Sequence, residues 1–344
     1  MILAAQPFKN GASLKIHLYD FVKTMFRAML LLCVGINGVS HSVANTVIPP
    51  GLSSLSTADV RQAFIAFVNM TTAPGVEGSA LQADSEFRDT DLWRSSLGFG
   101  AEFTLRSPIY NGYWGLALIG GGLDDQFELQ DDFGESVRVE VDRDIVALRG
   151  SFGLSFPIDE HFKVRPFATL ILSQSTTESS AQGGVVEDFS NNSNGTFFQE
   201  ANVEAVSGAG SLDLMYSQWH ERLALDLFGR YNIMYTDAFS IDNPALDTWA
   251  WSQSIFAKAT LSGPTDWFFL NQNWRWNTYY SHNNYLDQSK SALGFRYLNE
   301  VGVGLDWDMH IKPFDWFGWR YLGIRAGYTF GDDVRGFNVG ITAR

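Results

Sequence analysis

The stretch Trp93-Arg94-Ser95-Ser96-Leu97-Gly98-Phe99-Gly100-Ala101-Glu102-Phe103-Thr104-Leu105 decides the fold. Trp93, Leu97, Phe99, Ala101, Phe103 and Leu105 fall on one face of an extended chain. Arg94, Ser96, Gly98, Gly100, Glu102 and Thr104 fall on the other. Successive side chains of a strand point to opposite faces, so this period of two reads as a strand with one apolar and one polar side.

The same pattern recurs down the chain. Val146, Leu148, Phe152, Leu154 and Phe156 oppose Arg149, Ser151, Gly153 and Ser155. Phe162, Val164, Ala168, Leu170 and Leu172 oppose Lys163, Arg165, Thr169 and Ser173. Runs at 206–216, 223–235, 249–261, 268–277, 293–308, 322–330 and 337–342 repeat it, and 113–122 is a more uniformly apolar strand. With these eleven runs goes a twelfth candidate, Arg61–Thr71, which carries Phe64, Ile65, Phe67 and Val68. It is read as a strand, because an even count closes a barrel with both termini on one side. A short helix competes for the same residues.

A soluble sandwich alternates too, but two features favour a transmembrane barrel. The polar faces carry Gly, Ser and charges of both signs, as a lumen does. The connections alternate in length: 106–112, 157–161, 217–222, 262–266 and 310–319 are short, whereas 72–91, 123–136, 174–202, 236–248 and 281–291 are long, and only the last, 331–335, breaks the rule. Outer-membrane barrels have short periplasmic turns and longer outer loops. The fold expected is therefore all-β, a transmembrane antiparallel β-barrel of about twelve strands. Trp267, Trp316 and Trp319 by short turns, and Trp249 and Trp251 after a long loop, fit aromatic girdles at the two membrane interfaces.

The chain has 344 residues, 24 Lys plus Arg and 38 Asp plus Glu, for a net charge of −14. That sign argues against nucleic acid, whose phosphates call for clustered Lys and Arg. Mean hydropathy is −0.07, and no stretch approaches the ~18–20 apolar residues of a spanning helix. The connections on the outer side, the five long ones and 331–335, hold 21 acidic residues and only Arg88, Lys290 and Arg335 as basic ones, so the acid gathers on one side of the sheet.

The N-terminus reads as an export signal. Lys23 and Arg27 precede the apolar run Ala28–Ile36, which ends near the small-residue site Ser42-Val43-Ala44. Met25 would start a signal of ordinary length, so the residues before it read as an over-long start. The expected division is 1–44 as signal, 45–60 as a short periplasmic segment and 61–344 as barrel, with maturation at Asn45. Residues 1–44 carry four basic residues and one acidic, which leaves 20 and 37 and a mature charge of −17. Cys33 is the only Cys and falls within the signal, so disulfides and Cys-ligated metals are not expected in the mature chain.

The end of the chain reads Gly327-Tyr328-Thr329-Phe330-Gly331-Asp332-Asp333-Val334-Arg335-Gly336-Phe337-Asn338-Val339-Gly340-Ile341. With an export signal, twelve expected strands and little room for a passenger, residues 60–344 resemble an autotransporter translocator barrel, more narrowly the solitary autotransporter-like barrels that lack a large secreted passenger. The resemblance implies insertion by the outer-membrane barrel assembly machinery, which reads an alternating last strand that usually ends in Phe. Here Phe337, Val339 and Ile341 alternate, but the chain ends Ala343-Arg344. The resemblance also implies a helix in the pore. Ser56–Met70 can supply one, capped by Ser56-Thr57-Ala58-Asp59, and this reading competes with the strand at 61–71.

No metal spacing, phosphate-binding glycine loop or nucleophile elbow occurs, so neither cofactor nor enzyme activity is expected. The lumen set is Glu102, Arg149, Arg165, Asp213, Asp226, Arg230, Lys258, Arg275, Arg296, Glu300 and Arg325. Inward charges are paired or hydrated, because unpaired buried charge is costly. They read as a salt-bridge network filling the interior, with a narrow, mildly selective passive pore as the alternative. His161, His220 and His310 lie in short turns; His282 lies at the outer end of a strand, where outer-membrane phospholipases place a catalytic His, but Ser281 points to the other face. The acidic stretch Asp124–Glu135 reads as a solvated loop or a bridge through cations to lipopolysaccharide phosphates. The reading is a non-enzymatic envelope protein of a Gram-negative outer membrane, in contact with outer-membrane lipid and lipopolysaccharide.

Overall fold

The computed structural model describes residues 57–72, 79–85, 89–107, 109–130, 136–182, 201–239, 247–269, 272–286, 295–308, 321–331 and 334–343. The expected signal and its cleavage site, most of the expected periplasmic segment, His310, Trp316 and Trp319 lie outside these residues. Everything described belongs to one compact unit, Ile48–Arg344.

The element order is α1 (Thr57–Thr72), β1 (Ser79–Ser85), β2 (Asp89–Thr104), β3 (Asn111–Gln130), β4 (Ser136–Pro157), β5 (Phe162–Gln182), β6 (Ala201–His220), β7 (Leu223–Phe239), β8 (Thr248–Phe269), β9 (Gln272–Tyr285), β10 (Tyr297–Asp308), β11 (Tyr321–Gly331) and β12 (Val334–Ala343). Each strand pairs antiparallel with the next, and β1 pairs with β12 to close the barrel. Closure matters in lipid, where an unpaired backbone N–H or C=O finds no water. Among the described residues no helix is long and apolar enough to cross a membrane; the crossing is made by strands.

The barrel is apolar outside and polar inside. Leu97 is 71% exposed, Phe152 64% and Phe337 69%, while Ser155, Ser207 and Asp213 are each 0% exposed. In water that arrangement would be inverted. In an outer membrane the outward residues meet hydrocarbon and the inward ones line the lumen. This chain is an outer-membrane β-barrel.

The facing ends of β6 and β7, and of β8 and β9, lie at one end of the ladders, with the start of β1 and the end of β12; the facing ends of β5 and β6, and of β9 and β10, lie at the other. The first end is taken as periplasmic and the second as outer. Near the periplasmic end of β8 the register to β9 shifts between Pro264 and Phe268. Pro lacks an N–H for the ladder, so it sits at such an irregularity.

Four expectations are corrected. First, Arg61–Thr71 is helical, inside α1. Side chains at spacings of three and four, Ile65, Val68 and Thr72, fall on one helical face, and the hydroxyl of Thr72 donates to the Val68 carbonyl at 2.7 Å, which satisfies a helix-end carbonyl. Second, the twelfth strand is β1, Ser79–Ser85, in a stretch expected to be loop. Third, strand pairing runs well past the apolar bands. Ladder β3–β4 extends to Gln130 and Ser136, so much of 123–136 is strand. About 9–11 residues cross the membrane, whereas β4 has 22; beyond Val146 its outward residues turn to Asp144, Asp142 and Glu140. Backbone pairing needs no apolar side chain, so the ladder outlasts the pattern that announced it. Fourth, length alternates less cleanly than expected: 309–320 is long at the periplasmic end, and 86–88 is short at the outer end.

Candidate functional site in the barrel lumen

The alternation fixes which side chains enter the lumen. Each wall strand brings every second residue inside, and many of those residues are small, polar or charged. Apolar side chains gather around α1 and in a second buried cluster of Ile119, Ile171 and Met234, and Phe167 and Phe256 are buried on inward faces as well.

Ile65 through Thr72 of α1 are buried without a break, none above 4% exposed. Eight consecutive residues run past two full turns, so every side of this segment is covered, as holds for a helix enclosed by protein. The helix packs against β3 and β4 on one side and β7 and β8 on the other. Ile65, Phe67, Val68 and Met70 join an apolar cluster with Leu92, Ile145, Val203, Ala238, Tyr285 and Leu298. These wall residues lie in the outer halves of their strands, which places the buried turns in the outer half of the lumen.

Polar contacts hold the helix in register with the wall. Thr236 donates its hydroxyl to the Asn69 Oδ1 at 2.8 Å. That hydroxyl has one proton, so in the 2.8 Å contact between Ser207 and Thr236 the Ser207 hydroxyl is the donor. Thr71 sits over Gly121, where a β-carbon would lie 2.6 Å from its Cγ2. Gly121 faces Arg94 directly across the β2–β3 ladder.

One charged network runs around the wall from β2 to β7. Lys163 donates to both Glu102 oxygens, at 3.0 and 2.9 Å. Ser155 donates to the same carboxylate at 2.9 Å. Arg165 lies 4.0 Å from Glu102 and donates to Asp213 at 2.6 Å. Arg230 donates to Asp213 through Nε at 2.5 Å and through its terminal nitrogen at 2.9 Å. Two guanidiniums thus converge on one carboxylate that water does not reach. Each also lies over an aromatic ring: Arg165 is 4.0 Å from the centre of the Tyr113 ring and Arg230 is 5.0 Å from that of Phe167. Cation–π contacts of this kind add to a desolvated ion pair.

A second polar group lies on β8–β12. The Tyr279 hydroxyl donates to Glu300, and Asn338 donates to the other Glu300 oxygen at 3.1 Å. Lys258 sits 4.4 Å and Arg325 5.7 Å from the Tyr279 ring centre. Asn277 donates to Asp306 at 3.0 Å. Tyr279 lies against the backbone of Gly302, where any β-carbon would collide with its ring.

The structure places ten of the eleven expected lumen residues on inward faces. Glu102, Arg165, Asp213 and Arg230 meet in the first network, and Lys258, Glu300 and Arg325 meet around Tyr279. Arg149 is buried on β4. Asp226 and Arg275 lie at the periplasmic mouth: Asp226 accepts from Ser217 at 2.6 Å, and Arg275 donates to the carbonyls of Arg222 and Ser262 and covers Trp219. Arg296 is the exception. It precedes β10 and its side chain is exposed; its carbonyl accepts from the Tyr285 N–H at 3.0 Å.

Three inward cations extend the set: Arg94, Arg143 and Lys163. Arg94 and Lys163 already stand on polar faces of the alternation, whereas Arg143 lies outside the apolar run that announced β4. Among the described residues the inward ladder positions then carry nine basic residues (Arg94, Arg143, Arg149, Lys163, Arg165, Arg230, Lys258, Arg275, Arg325) and seven acidic ones (Glu102, Asp125, Asp213, Asp226, Glu300, Asp306, Asp308). The lumen is net basic inside a chain that is net acidic.

His282 faces outward near the outer end of β9. Its Nδ1 lies 2.9 Å from Asn299 Oδ1, which also accepts from the Tyr280 hydroxyl at 2.8 Å. Ser281 is buried on the lumen side, so the two do not form a nucleophile–base pair. No group of carboxylate, His or Cys side chains suited to a metal ion occurs among the described residues.

No family model and no curated protein matches this chain. Solved structures similar to it include the translocator domain of the autotransporter NalP from Neisseria meningitidis, 11% identical, covering 84% of this chain and 100% of that one with a TM-score of 0.49. The β domain of the Bordetella autotransporter BrkA is 12% identical over 77% of this chain and 95% of that one, with a TM-score of 0.45. The transport unit of the autotransporter AIDA-I from Escherichia coli is 12% identical over 87% of this chain and 100% of that one, with a TM-score of 0.40.

Proposed function

We propose that this protein is a non-enzymatic envelope barrel of the autotransporter-like kind, kept shut by its own helix. The observation that carries the reading is the unbroken burial of Ile65–Thr72 inside the wall, pinned by Thr236 on Asn69. A helix with its side chains is about 10–12 Å across, which leaves little passage beside it in a barrel of this size. The Glu102–Lys163–Arg165–Asp213–Arg230 network narrows the interior further. At rest such a barrel passes little.

Outer-membrane lipid surrounds the apolar band. Lipopolysaccharide meets the acidic outer ends of β2–β5, through bridging cations. The barrel assembly machinery inserts the chain by way of β12. The location is the outer membrane of a Gram-negative bacterium, reached by a cleavable signal within residues 1–44.

A second reading is a passive pore. It is favoured by the polar side chains on the inward faces of β10–β12, Glu300, Asp306, Arg325 and Asn338. Single-channel recording on refolded protein separates the two. The intact barrel is expected to be silent or to flicker, and deletion of Thr57–Thr72 is expected to give steady conducting steps. Steady steps from the intact barrel support the pore, and silence of both folded forms contradicts the plug.

A further inference from the structure

We propose that the outward face of β9 and β10 binds the phosphate of an outer-leaflet lipid directly, without a bridging cation, through His282 and Asn284. The proposal deepens the lipopolysaccharide contact described above and rests on the same assignment of the outer end.

The outside of the barrel has two electrostatic sectors. One outward row runs through His282, Asn299, Phe330 and Arg335 across β9–β12. It continues through Asp84, Asp91, Asp124, Asp142 and Glu178 across β1–β5. The outward ladder positions of β9–β12 carry no acidic residue among the described residues. A lipid phosphate is repelled along β1–β5 unless a cation intervenes, and along β9–β12 it is not.

In this second sector a polar cluster is built into the face that meets lipid. Elsewhere the wall presents Leu97, Leu118, Leu148, Leu170 and Val206. On β10, Asn299 is outward yet only 9% exposed. Its Oδ1 accepts from the Tyr280 hydroxyl at 2.8 Å and lies 2.9 Å from His282 Nδ1. A carbonyl oxygen only accepts, so Nδ1 carries the proton. The imidazole is held there with the Tyr297 ring beside it, the two centres 6.0 Å apart. Its Nε2 has no hydrogen bond among the described residues. Asn284 stands farther out on the same face, opposite Tyr297.

Polar and ionisable groups on a membrane face are costly unless they meet a polar partner. A phosphate supplies one. The imidazolium donates from both nitrogens, Nδ1 to Asn299 and Nε2 to the phosphate, and the Asn284 amide donates beside it. The residues facing His282 are Ala257 on β8, Tyr280 and Asn284 on β9, and Tyr297, Asn299 and Val301 on β10. Tyr280 and Tyr297 are the titratable ones, and none is a carboxylate. Phosphate binding therefore takes up a proton at Nε2 and weakens toward alkaline pH.

The test is native mass spectrometry of the refolded full chain, titrated with lipid A in EDTA so that no divalent cation can bridge. The parent is expected to retain lipid A, and to retain dephosphorylated lipid A and inorganic phosphate far less. Among variants that stay heat-modifiable, His282→Ala is expected to weaken retention about tenfold, the worth of one charge-assisted hydrogen bond. His282→Lys is expected to restore most of it and to remove the loss in alkali, and Asp142→Asn to leave it unchanged. Equal retention of the dephosphorylated lipid or of inorganic phosphate, indifference to His282→Ala, or loss of all binding in EDTA overturns the inference and leaves the closed barrel standing. Retention of phosphatidylglycerol through His282, with none of lipid A, overturns the assignment of the outer end and the inference with it.

Discussion

Thr71 of α1 rests against Gly121 of β3, so closely that a β-carbon on residue 121 would stand 2.6 Å from the Thr71 Cγ2. Gly121 is inward on a wall strand, where a side chain would otherwise fill the lumen. Its lack of one makes room for the last turn of the helix.

Gly121→Leu is therefore expected to push the helix end off the wall while leaving the ladder intact. Overpacking of this kind costs about 1–3 kcal/mol. The loss falls on helix docking, because the Gly121 backbone pairs with Arg94 and Ile145 whatever its side chain. Limited proteolysis should cut near α1 in the variant sooner than in the parent, and the barrel itself should stay heat-modifiable.

Asp213 is the joint of the first charge network. Arg165 and Arg230 both donate to it, and it is wholly buried. Removing one member of a buried ion pair leaves the others uncompensated, at a cost of about 3–5 kcal/mol. Asp213→Ala is expected to lower the urea midpoint of folding into lipid vesicles by a corresponding amount. Arg165→Ala should cost less, because Arg230 continues to serve the carboxylate.

A carboxylate row crosses four strands on the outer wall. Asp91 faces Asp124, Asp124 faces Asp142, and Asp142 faces Glu178. Like charges directly opposite on adjacent strands are destabilising. Asp142→Asn is expected to raise the unfolding midpoint at low ionic strength. The gain should shrink in high salt, which screens exposed charges. Thermal unfolding at two salt concentrations checks both parts.

Tyr279 lies on the bare backbone of Gly302 and donates to Glu300. Gly302→Val is expected to displace the ring and break that hydrogen bond. Tyr279→Phe keeps the packing and loses only the hydroxyl. The first should cost more stability than the second, and near-ultraviolet circular dichroism should change clearly only for the first.

Much of this architecture is legible in the residues themselves. Leu97, Phe152, Leu170 and Phe337 announce their strands because lipid and lumen impose opposite demands on neighbouring positions. β1 does not announce itself. Ser-Ala-Leu-Gln-Ala-Asp-Ser holds one large apolar residue, and its service is to offer backbone groups to β12 and β2. Its ladder to β2 runs only from Ala80 to Asp84, so Ser96–Thr104 of β2 is paired through β3 alone among the described residues. The helix is ambiguous for a different reason. Phe64, Ile65, Phe67 and Val68 suit a strand and a helix alike, and only enclosure by four walls decides. In the lumen, parity placed the charges, but pairing across non-neighbouring strands, as between Glu102 on β2 and Lys163 on β5, depends on the closed geometry. Arg296 shows the limit of parity: it has the right phase and lies one residue before β10 begins.

The central claim is that α1 sits inside the wall at Asn69 and Thr236. With Cys33→Ser as background, Asn69→Cys and Thr236→Cys together place two thiols where a hydrogen bond of 2.8 Å now joins the side chains. The account predicts that mild oxidation of the membrane-inserted barrel joins residues 69 and 236 by a disulfide, that the bonded form is silent in a planar bilayer, and that reduction restores the parent's behaviour. A folded barrel in which these two cysteines do not join, or in which the bonded form conducts steadily, contradicts it.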